Sequence, residues 1–326
     1  MKTIRWGILG TGGIAHKFAE ALTSLPDAQI AAVGSRAKSA ADDFARTWKI
    51  PHAYGSYHEA ANDPETDVLY VATIHPLHCE NCLDCLKAGK AVLCEKPFTL
   101  NAPQAAEVIA LARQKRIFLM EAMWTRYFPV FGKIRDLLAE NALGEIRLVQ
   151  VDFAFRPPFD PKGRLFDPAL GGGALLDIGV YPVSLASMVF GESPRRIASS
   201  VTMGRTGVDE QAAVIMEYTG GRQAAITFSF RYESPLEANI IGTEGRIRIQ
   251  RPWWNPHRLT LTQGGKDKEI PLPYLGNGYT HEAMEVMECL RAGRTESERM
   301  PLEETHRIMQ NLDAIRADWG LKYPGE

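Results

Sequence analysis

A lysine at the end of a predicted buried strand is the side chain in this sequence best placed for chemistry. The run AVLC at residues 91–94 is apolar throughout, as in strands buried on both faces of a sheet, and Glu95, Lys96 and Pro97 follow it. Because partial burial disfavours an ammonium ion, it lowers the pKa of a lysine in such a position, which can then hold or pass a proton near neutral pH. The alternative is that Glu95 and Lys96 are a solvated strand end without a chemical role.

Asp177 and Tyr181 form a second candidate pair. They are four residues apart in an apolar segment that follows three glycines at 171–173, which predicts a helix with both side chains on one face. A carboxylate and a phenol lose hydration on an otherwise apolar helix unless they have partners. Those partners are a substrate or, in the structural alternative, backbone groups that satisfy a buried pair.

A glycine-rich segment near the N-terminus predicts a dinucleotide site. It carries the G-x-G-x-x-A pattern between an apolar strand at residues 4–9 and an apolar-periodic helix. Its first glycine permits a tight turn, its second lets the backbone approach a pyrophosphate, and the N-terminus of the helix supplies N–H groups to the phosphates. The expected cofactor contacts in this segment are Gly10, Thr11, Gly12, Gly13, Ile14 and Ala15.

The end of the second predicted strand, at residues 30–34, indicates which dinucleotide binds. Sites for NAD usually have a carboxylate there for the ribose hydroxyls, whereas this chain has Ser35, Arg36 and Lys38. A hydroxyl and two cations suit the 2′-phosphate of NADP. We therefore expect NADP, with NAD as the alternative if Arg36 and Lys38 are ordinary surface charges.

Further cofactor contacts are expected at the carboxyl ends of the next strands, because ligands bind at that edge of a parallel sheet. The residues placed there are Thr73, His75, His78, Glu95 and Lys96. A structural role is the alternative for each of the two histidines.

The first part of the chain alternates short apolar runs with amphipathic helical segments as far as Met123. This alternation specifies an α/β domain with a doubly wound parallel sheet. The segment through His52 and Tyr54 is predicted to be a loop.

The remainder of the chain is strand-rich. Apolar and polar residues alternate over 149–155, and glycine turns at 220–221 and 242–245 separate further strands. This pattern predicts a C-terminal α+β domain with an open, mostly antiparallel sheet. We place the two domains at residues 1–123 and 124–326, with the last helix able to pack back on the first domain.

Composition limits the partners. The chain has 326 residues, enough for two domains, with 37 Lys and Arg against 39 Asp and Glu. Because the charges nearly balance, the composition does not predict a nucleic acid or an anionic membrane as partner. No apolar stretch is identified as long enough to cross a bilayer. The apolar run near the N-terminus is shorter than that of a signal peptide. We expect a cytoplasmic protein that binds neither nucleic acid nor membrane.

The five cysteines do not suggest a disulfide framework. Cys79, Cys82 and Cys85 have the C-x2-C-x2-C spacing of some iron–sulfur segments. They lie in a predicted helix at residues 78–88, where they would fan around the circumference instead of converging. Reduced, mostly buried thiols and no metal site are therefore predicted, with an iron–sulfur site as the alternative.

These motifs together resemble a known family. With G-x-G-x-x-A at 10–15, Glu95-Lys96-Pro97, and the glycine run into Asp177 and Tyr181, the chain resembles the glucose–fructose oxidoreductase/inositol dehydrogenase/MocA (Gfo/Idh/MocA) family over essentially its whole length. Many relatives carry histidine in place of the tyrosine. The tyrosine, with HPLH at 75–78 and MEAMW at 120–124, is most similar to the branch of dimeric dihydrodiol dehydrogenases and NADP-dependent D-xylose dehydrogenases.

The resemblance implies a fold and residue roles. It implies a Rossmann domain, a following α+β domain whose open sheet forms a homodimer interface, and a nicotinamide ring between the domains. Lys96 would orient the substrate hydroxyl and share in proton transfer, and Tyr181 would be the acid or base. Asp177 would position the substrate or hold the charge arrangement, while His75 and Trp124 would line the nicotinamide and substrate side.

The chemistry of Lys96 and Tyr181 supports these roles independently. Oxidation of an alcohol by NADP⁺ requires a base for the hydroxyl proton and a fixed geometry for hydride departure. The pKa of tyrosine, about 10, is too high for a base at neutral pH, and a nearby lysine cation lowers it by favouring the phenolate.

Aromatic side chains in the second half suit the faces of sugar rings or cyclic diols. The expected substrate contacts are Trp124, Arg156 and Trp253, with Phe159, Trp254 and Tyr279 as further candidates. Core packing is the alternative for each aromatic residue. Phosphorylated substrates are less expected because no dense basic cluster occurs there, although Arg156 and Arg164 leave them open.

The sequence therefore predicts an NADP-dependent dehydrogenase acting on an aldose, a cyclic polyol or a trans-dihydrodiol. Two alternatives remain open within the family that the chain resembles. One is a glycosidase that keeps its dinucleotide bound and oxidises its substrate transiently, and the other is a non-catalytic dinucleotide-binding regulator.

Overall fold

The computed structural model describes residues 2–326, which divide into two units. The first contains the chain as far as Trp124 together with Leu275–His306, and the second contains Thr125–Tyr274 and Arg307–Glu326. The first break falls beside the predicted boundary. The place of Leu275–His306 differs from the prediction, which put residues 124–326 in the second domain and allowed only the last helix to pack on the first.

The first unit is built on a six-stranded parallel sheet. Its strands are β1 (Ile4–Leu9), β2 (Ala28–Gly34), β3 (His52–Tyr54), β4 (Val68–Val71), β5 (Ala91–Glu95) and β6 (Leu119–Ala122). The spatial order is β3-β2-β1-β4-β5-β6, and every neighbouring pair is parallel. This is the doubly wound arrangement in which the strand order reverses between β1 and β4, and it confirms the predicted Rossmann fold.

Helices connect these strands. They are α1 (Gly13–Thr23), α2 (Lys38–Trp48), α3 (Tyr57–Ala61), α4 (His78–Lys87) and α5 (Ala102–Lys115). Residues of β4 and β5 are all buried, as expected of central strands covered on both faces. The predicted loop through His52 and Tyr54 is wrong, because this segment pairs with β2 as the three-residue strand β3.

The second unit contains an eight-stranded sheet. Its strands are β7 (Ile146–Ala154), β8 (Arg196–Met203), β9 (Asp209–Glu217), β10 (Gln223–Ser229), β11 (Ala238–Gly242), β12 (Gly245–Ile249), β13 (Arg258–Gln263) and β14 (Lys266–Pro271). The order is β14-β13-β12-β11-β7-β10-β9-β8. Only β7 and β10 pair in parallel, so the sheet is mostly antiparallel, as predicted.

One face of this sheet packs on helices and the other is open. The helices of the second unit include α6 (Pro129–Ala139) and α7 (Val180–Phe190). Val149, Val151 and Phe153 on β7 are buried, whereas Gln150 between them is exposed. This alternation with a period of two is the signature of a sheet covered on one side.

Two helices near the C-terminus complete the chain, α8 (Tyr279–Arg291) and α9 (Leu302–Ala317). Helix α8 packs against α1 within the first unit, and Ala283, Val286 and Met287 provide its buried face. This apolar face accounts for the place of the segment in the first unit. Helix α9 begins in the first unit and continues into the second.

A helical stretch at Pro168–Phe190 is long and apolar enough to span a membrane by length and composition, which corrects the expectation that no such stretch exists. Its most apolar window is 89% buried inside the protein, as in a core helix. Within it, Leu175–Gly179 forms a π-helical turn that runs into α7. The uniform α-helix expected around Asp177 is therefore interrupted, and π turns of this kind are frequent at functional sites.

Candidate active site

The glycine turn after β1 has the geometry that a dinucleotide requires. Gly10 has a φ of +110°, and a Cβ added there would lie 2.5 Å from the carbonyl oxygen of Ala72, so only glycine fits this turn. A Cβ added at Gly12 or Gly13 would meet no atom of residues 2–326 within 4 Å. The backbone at these two residues is therefore open to an approaching ligand.

The N-terminus of α1 adds to this site. Gly12 is the N-cap residue and supplies no side-chain acceptor to the first amides of the helix, which can bind an anion. Ala15 is fully buried, whereas Thr11 and Ile14 are half-buried at the turn. The residues present thus fit the pyrophosphate of a dinucleotide.

The cationic residues expected to select NADP differ in their surroundings. Arg36 is exposed and forms no hydrogen bond or ion pair within residues 2–326. Lys38 is the first residue of α2 and already pairs with Asp42, at 2.5 Å. Ser35 is buried, and its hydroxyl accepts a long hydrogen bond from the amide of Ala37, at 3.5 Å. Arg36 is thus the cation of this group that can meet a phosphate without breaking another contact.

His78 has no exposed ring surface for its predicted cofactor contact, because its side chain belongs to the core. Its ring is fully buried, with Nδ1 2.8 Å from the carbonyl oxygen of Pro97 and Nε2 3.1 Å from that of Thr73. Burial lowers the pKa of His78, so the ring is neutral and has one N–H. We assign that N–H to the shorter contact, which ties the start of α4 to the segment after Lys96.

The other predicted contacts after β4 remain at the edge of the sheet. Thr73 is half-buried, and its hydroxyl accepts a hydrogen bond from the side chain of Asn81 at 3.0 Å. His75 is half-buried in the following turn, with its ring edge-to-face against His78 at 5.7 Å between centroids.

Glu95 and Lys96 point to different environments at the end of β5. Glu95 is 7% exposed, and its carboxylate accepts hydrogen bonds from the Tyr70 hydroxyl and, at 3.2 Å, from the amide of Lys96. The Glu95 carboxylate thus supports the end of β5, and its predicted cofactor contact stays a prediction. Lys96 is half-buried, as expected for a residue just beyond a buried strand.

A second buried carboxyl near Glu95 was missed by the sequence analysis. Glu282 on α8 is fully buried, and neither carboxyl oxygen has a hydrogen-bond partner within the part of the chain that the structure describes. Burial raises the pKa of Glu282 well above its usual range, and the neighbouring Glu95 raises it further. Its place in an amphipathic helix near the C-terminus gave no signal of this proximity.

Trp124 lies just after β6, and its ring stacks flat on that of Tyr279, with centroids 4.2 Å apart. The indole is 7% exposed. Tyr279, which the sequence offered as another substrate contact, therefore supports Trp124 from one face.

In the second unit, Asp177 has a partner that the sequence analysis did not assign. The carboxylate accepts a hydrogen bond from Arg164 Nη1 at 2.8 Å, with the Asp177 side chain 8% and the Arg164 side chain 62% exposed. The buried carboxylate is thus neutralised by a guanidinium that remains largely in solvent. Arg164 lies 13 residues earlier, too far for spacing on a helix to reveal the pair.

Tyr181 lies at the start of α7 beside an aromatic cluster. Its ring is 5.4 Å from that of Phe153, which stacks on Trp254 at 3.8 Å. Arg156 is exposed on the segment after β7, and Phe159 is 49% exposed.

Trp253 has no exposed surface for its predicted substrate contact, because it belongs to the core of the second unit. It is fully buried, and its indole N–H donates to the carbonyl oxygen of Asp152 at 2.8 Å. The ring therefore packs in the core, and its indole N–H already has a backbone acceptor.

The cysteines are free, and those other than Cys79 are buried. Burial raises the pKa of Cys79 to about 12 and that of Cys85 well above its usual value, so these thiols are poor nucleophiles and poor metal ligands at neutral pH.

Comparison with protein-family models identifies both parts of the chain. A model described as the oxidoreductase family with an NAD-binding Rossmann fold matches residues 4–123, and one described as the GFO/IDH/MocA C-terminal domain matches residues 131–248. Among curated proteins, human trans-1,2-dihydrobenzene-1,2-diol dehydrogenase is 40% identical over 332 residues, covering 98% of each chain. The zebrafish (Danio rerio) protein of the same name is 41% identical over 329 residues, again covering 98% of each chain.

Solved structures show the same architecture. KijD10, a 3-ketoreductase from Actinomadura kijaniata in complex with NADP and TDP-benzene, superposes with a TM-score of 0.87 and 26% identity, covering 97% of this chain and 98% of that chain. Variants of that enzyme with a substituted lysine or a substituted tyrosine have also been solved. An aldose–aldose oxidoreductase from Caulobacter crescentus shares the fold, with a TM-score of 0.88, 23% identity, and coverage of 98% and 99%.

Proposed function

The chain belongs to the Gfo/Idh/MocA family of oxidoreductases, and we propose that it is an NADP-dependent dehydrogenase acting on CH–OH groups. It would transfer a hydride between the nicotinamide and a hydroxyl or carbonyl carbon of an aldose, a cyclic polyol or a trans-dihydrodiol. The observation that carries the proposal is the placement of half-buried Lys96 at the same edge of a parallel sheet as the open turn at Gly12 and Gly13. A cofactor bound across that edge lies where such sheets bind dinucleotides.

The choice of NADP is supported by Arg36. Its guanidinium is exposed and has no competing carboxylate partner among the described residues, and no Asp or Glu occupies the positions directly after β2. Charge-assisted hydrogen bonds from arginine to a phosphate are strong and directional. KijD10, to which the chain is similar, is described in complex with NADP. Lys38 would add a weaker contribution because its charge is shared with Asp42.

The roles of the candidate catalytic residues follow from their chemistry. The bound cofactor supplies or accepts the hydride. Lys96 would hold the substrate oxygen and stabilise negative charge on it, and Tyr181 would take or return the hydroxyl proton. Asp177 would accept a hydrogen bond from a second substrate hydroxyl, and its pairing with Arg164 orients the carboxylate. The solved KijD10 variants substitute the same two residue types, a lysine and a tyrosine.

A cyclic substrate is supported by the aromatic surroundings of Tyr181. Phe153 and Trp254 stack beside it, and aromatic faces pack well on the carbon faces of sugar or diol rings. The curated relatives are named as dehydrogenases of a cyclic diol. By analogy, we infer that this chain also acts on a ring-shaped substrate.

The open face of the eight-stranded sheet supports a homodimer. Ile215 on β9 is 39% exposed, and Ala213 on the same face of that strand is also exposed. An uncovered sheet face with apolar residues favours association with a second copy. The free, buried thiols suit a reducing compartment, and we propose that the enzyme acts in the cytoplasm.

The function is tested by following the absorbance of reduced nicotinamide with NADP⁺ and NAD⁺ offered separately. The substrates are D-xylose, D-glucose, myo-inositol and trans-1,2-cyclohexanediol. Turnover with at least one of them, faster with NADP⁺, is the expected result. Cofactor binding by fluorescence without turnover of any substrate would contradict the proposal, and release of a glycoside aglycone without net cofactor reduction would favour the glycosidase.

A further inference from the structure

Asp209 is a buried carboxylate for which the proposed reaction has no role so far. It is the first residue of β9, and it is fully buried. One carboxylate oxygen, Oδ2, accepts a hydrogen bond from the backbone amide of Leu175 at 2.6 Å. The other, Oδ1, has no hydrogen-bond partner among residues 2–326.

The amide that donates to Asp209 belongs to the first residue of the helical segment that carries the candidate catalytic residues. Leu175 begins the π turn that contains Asp177, and α7 with Tyr181 follows directly. The first amides of a helix need an outside acceptor, and Ala174, the residue before the turn, supplies no side-chain acceptor. A carboxylate from a different strand therefore takes the place of a local cap.

The backbone around this turn is shaped to admit the carboxylate. Gly173 has a φ of +123°, and a Cβ added there would lie 2.4 Å from Asp209 Oδ1, so a side chain at this position would displace Asp209. On the same turn, the Tyr323 hydroxyl donates to the carbonyl oxygen of Gly172 at 2.9 Å. The turn is thus held by Asp209 at its amides and by Tyr323 at the preceding glycine.

Tyr323 is itself anchored by the C-terminal residues. Glu326 accepts two hydrogen bonds from Arg316, each at 2.6 Å, and a third from the amide of Tyr323 at 2.8 Å. Residues 323–326 therefore hold the Tyr323 hydroxyl against the glycines before the turn, close to Asp209.

We propose that Asp209, assisted by Tyr323, is a positioning residue of the reaction: it fixes the start of the turn and thereby the places of Asp177 and Tyr181. This inference rests on the proposed function for its catalytic consequence, whereas the cap itself is a property of the second unit. Small displacements of a reacting group lower rates steeply, so a loosened turn should slow turnover more than it weakens cofactor binding.

The stability of the fold does not require a negative charge on Asp209, because burial disfavours the ionised carboxylate. Burial raises the pKa of Asp209 to about 7. The amides of Leu175 and Ala174 act in the opposite direction, and Glu210 adds to the rise. A neutral acceptor would stabilise the fold at least as well. The proposal requires only an oxygen that accepts a hydrogen bond from the Leu175 amide. Asparagine keeps such an oxygen and is therefore the conservative replacement.

The experiment compares Asp209→Ala, Asp209→Asn and Tyr323→Phe with the wild type. It measures kcat, the KM for NADP⁺, and amide hydrogen exchange of the 174–181 segment against the 196–203 segment. Asp63→Ala is the matched control, because Asp63 is also buried and accepts a backbone amide, that of Glu65, at 2.6 Å, but lies in the first unit.

The expected outcome is specific to the turn. Asp209→Ala lowers kcat by about tenfold or more, changes the KM for NADP⁺ by less than about twofold, and speeds exchange at 174–181 but not at 196–203. Asp209→Asn stays within about threefold of the wild-type kcat because it keeps an oxygen for Leu175. Tyr323→Phe, the milder variant, speeds exchange at 174–181 and lowers kcat, and it decides the question if Asp209→Ala does not fold.

Several outcomes would overturn the proposal. Wild-type kcat and wild-type exchange at 174–181 in Asp209→Ala or in Tyr323→Phe would do so, as would equal changes in Asp63→Ala. If Asp209→Ala keeps the wild-type kcat while Tyr181→Phe is inactive, the inference about Asp209 is refuted and the proposed function is not. An inactive wild type instead refutes the proposed function, and the exchange data then judge the cap separately.

Discussion

Replacing Asp209 by asparagine should remove a pH dependence from the stability of this protein. Burial raises the pKa of Asp209 to about 7, against 3.8 for an ordinary aspartate. Between these values the unfolded chain has lost the proton and the folded chain still binds it, so the free energy of unfolding falls as pH rises and stops falling above about pH 7. At roughly 1.36 kcal/mol per pKa unit, the contribution lost between about pH 4.5 and about pH 8.5 is about 3 kcal/mol.

Urea titrations of the wild type and Asp209→Asn across this pH range provide the measurement. The difference in unfolding free energy between the two proteins should change by about 3 kcal/mol in favour of the variant as pH rises, because other titrating groups cancel in the comparison. The groups nearest to Asp209 are Glu210, Tyr323 and, through Tyr323, Arg316 and Glu326. A difference that stays constant with pH would refute the argument that Asp209 is a raised, buried carboxyl.

Three further predictions follow from the site and from the sheet. Arg36→Ala should weaken NADP binding by about tenfold or more and leave NAD binding unchanged, because a charge-assisted hydrogen bond contributes about 1.5–3 kcal/mol; equal effects on both nucleotides in fluorescence titrations would dismiss the phosphate contact. Glu282→Gln should change the free energy of unfolding at pH 7 by less than about 1 kcal/mol, because burial favours the neutral form of this carboxyl and glutamine is a neutral side chain of similar shape. A loss of several kcal/mol in urea titration would contradict this argument. Ile215→Asp should convert the proposed dimer to monomers in sedimentation velocity by placing a charge on the open sheet face, and an unchanged mass would argue against that interface.

The parallel sheet of the first unit was predictable because its signals are local. Residues of β4 and β5 form near-continuous apolar runs, and the glycine pattern after β1 has one known structural context. By contrast, β3 has only three residues, and β14 reads KDKEIP, a charged edge strand without apolar alternation. Neither strand could be distinguished from a loop by composition.

For the candidate site, the sequence indicates which residue types are present but not how exposed they are. Lys96 and Tyr181 are proposed as site residues from their chemistry and spacing. Sequence could not show that the His78 ring and Trp253 are fully buried, because burial there depends on packing by distant segments. Nor could it pair Asp209 with Leu175, which is 34 residues away. Such long-range contacts leave no periodic pattern in the chain.

The central claim, that Lys96 and Tyr181 carry out proton transfer during oxidation of a CH–OH group, is tested most directly by single-turnover absorbance with NADP⁺ bound. Lys96→Met and Tyr181→Phe should each slow nicotinamide reduction by at least about a hundredfold, while fluorescence titration shows the cofactor still bound. Near wild-type rates in either variant would contradict the account for that residue, and wild-type rates in both would contradict it altogether.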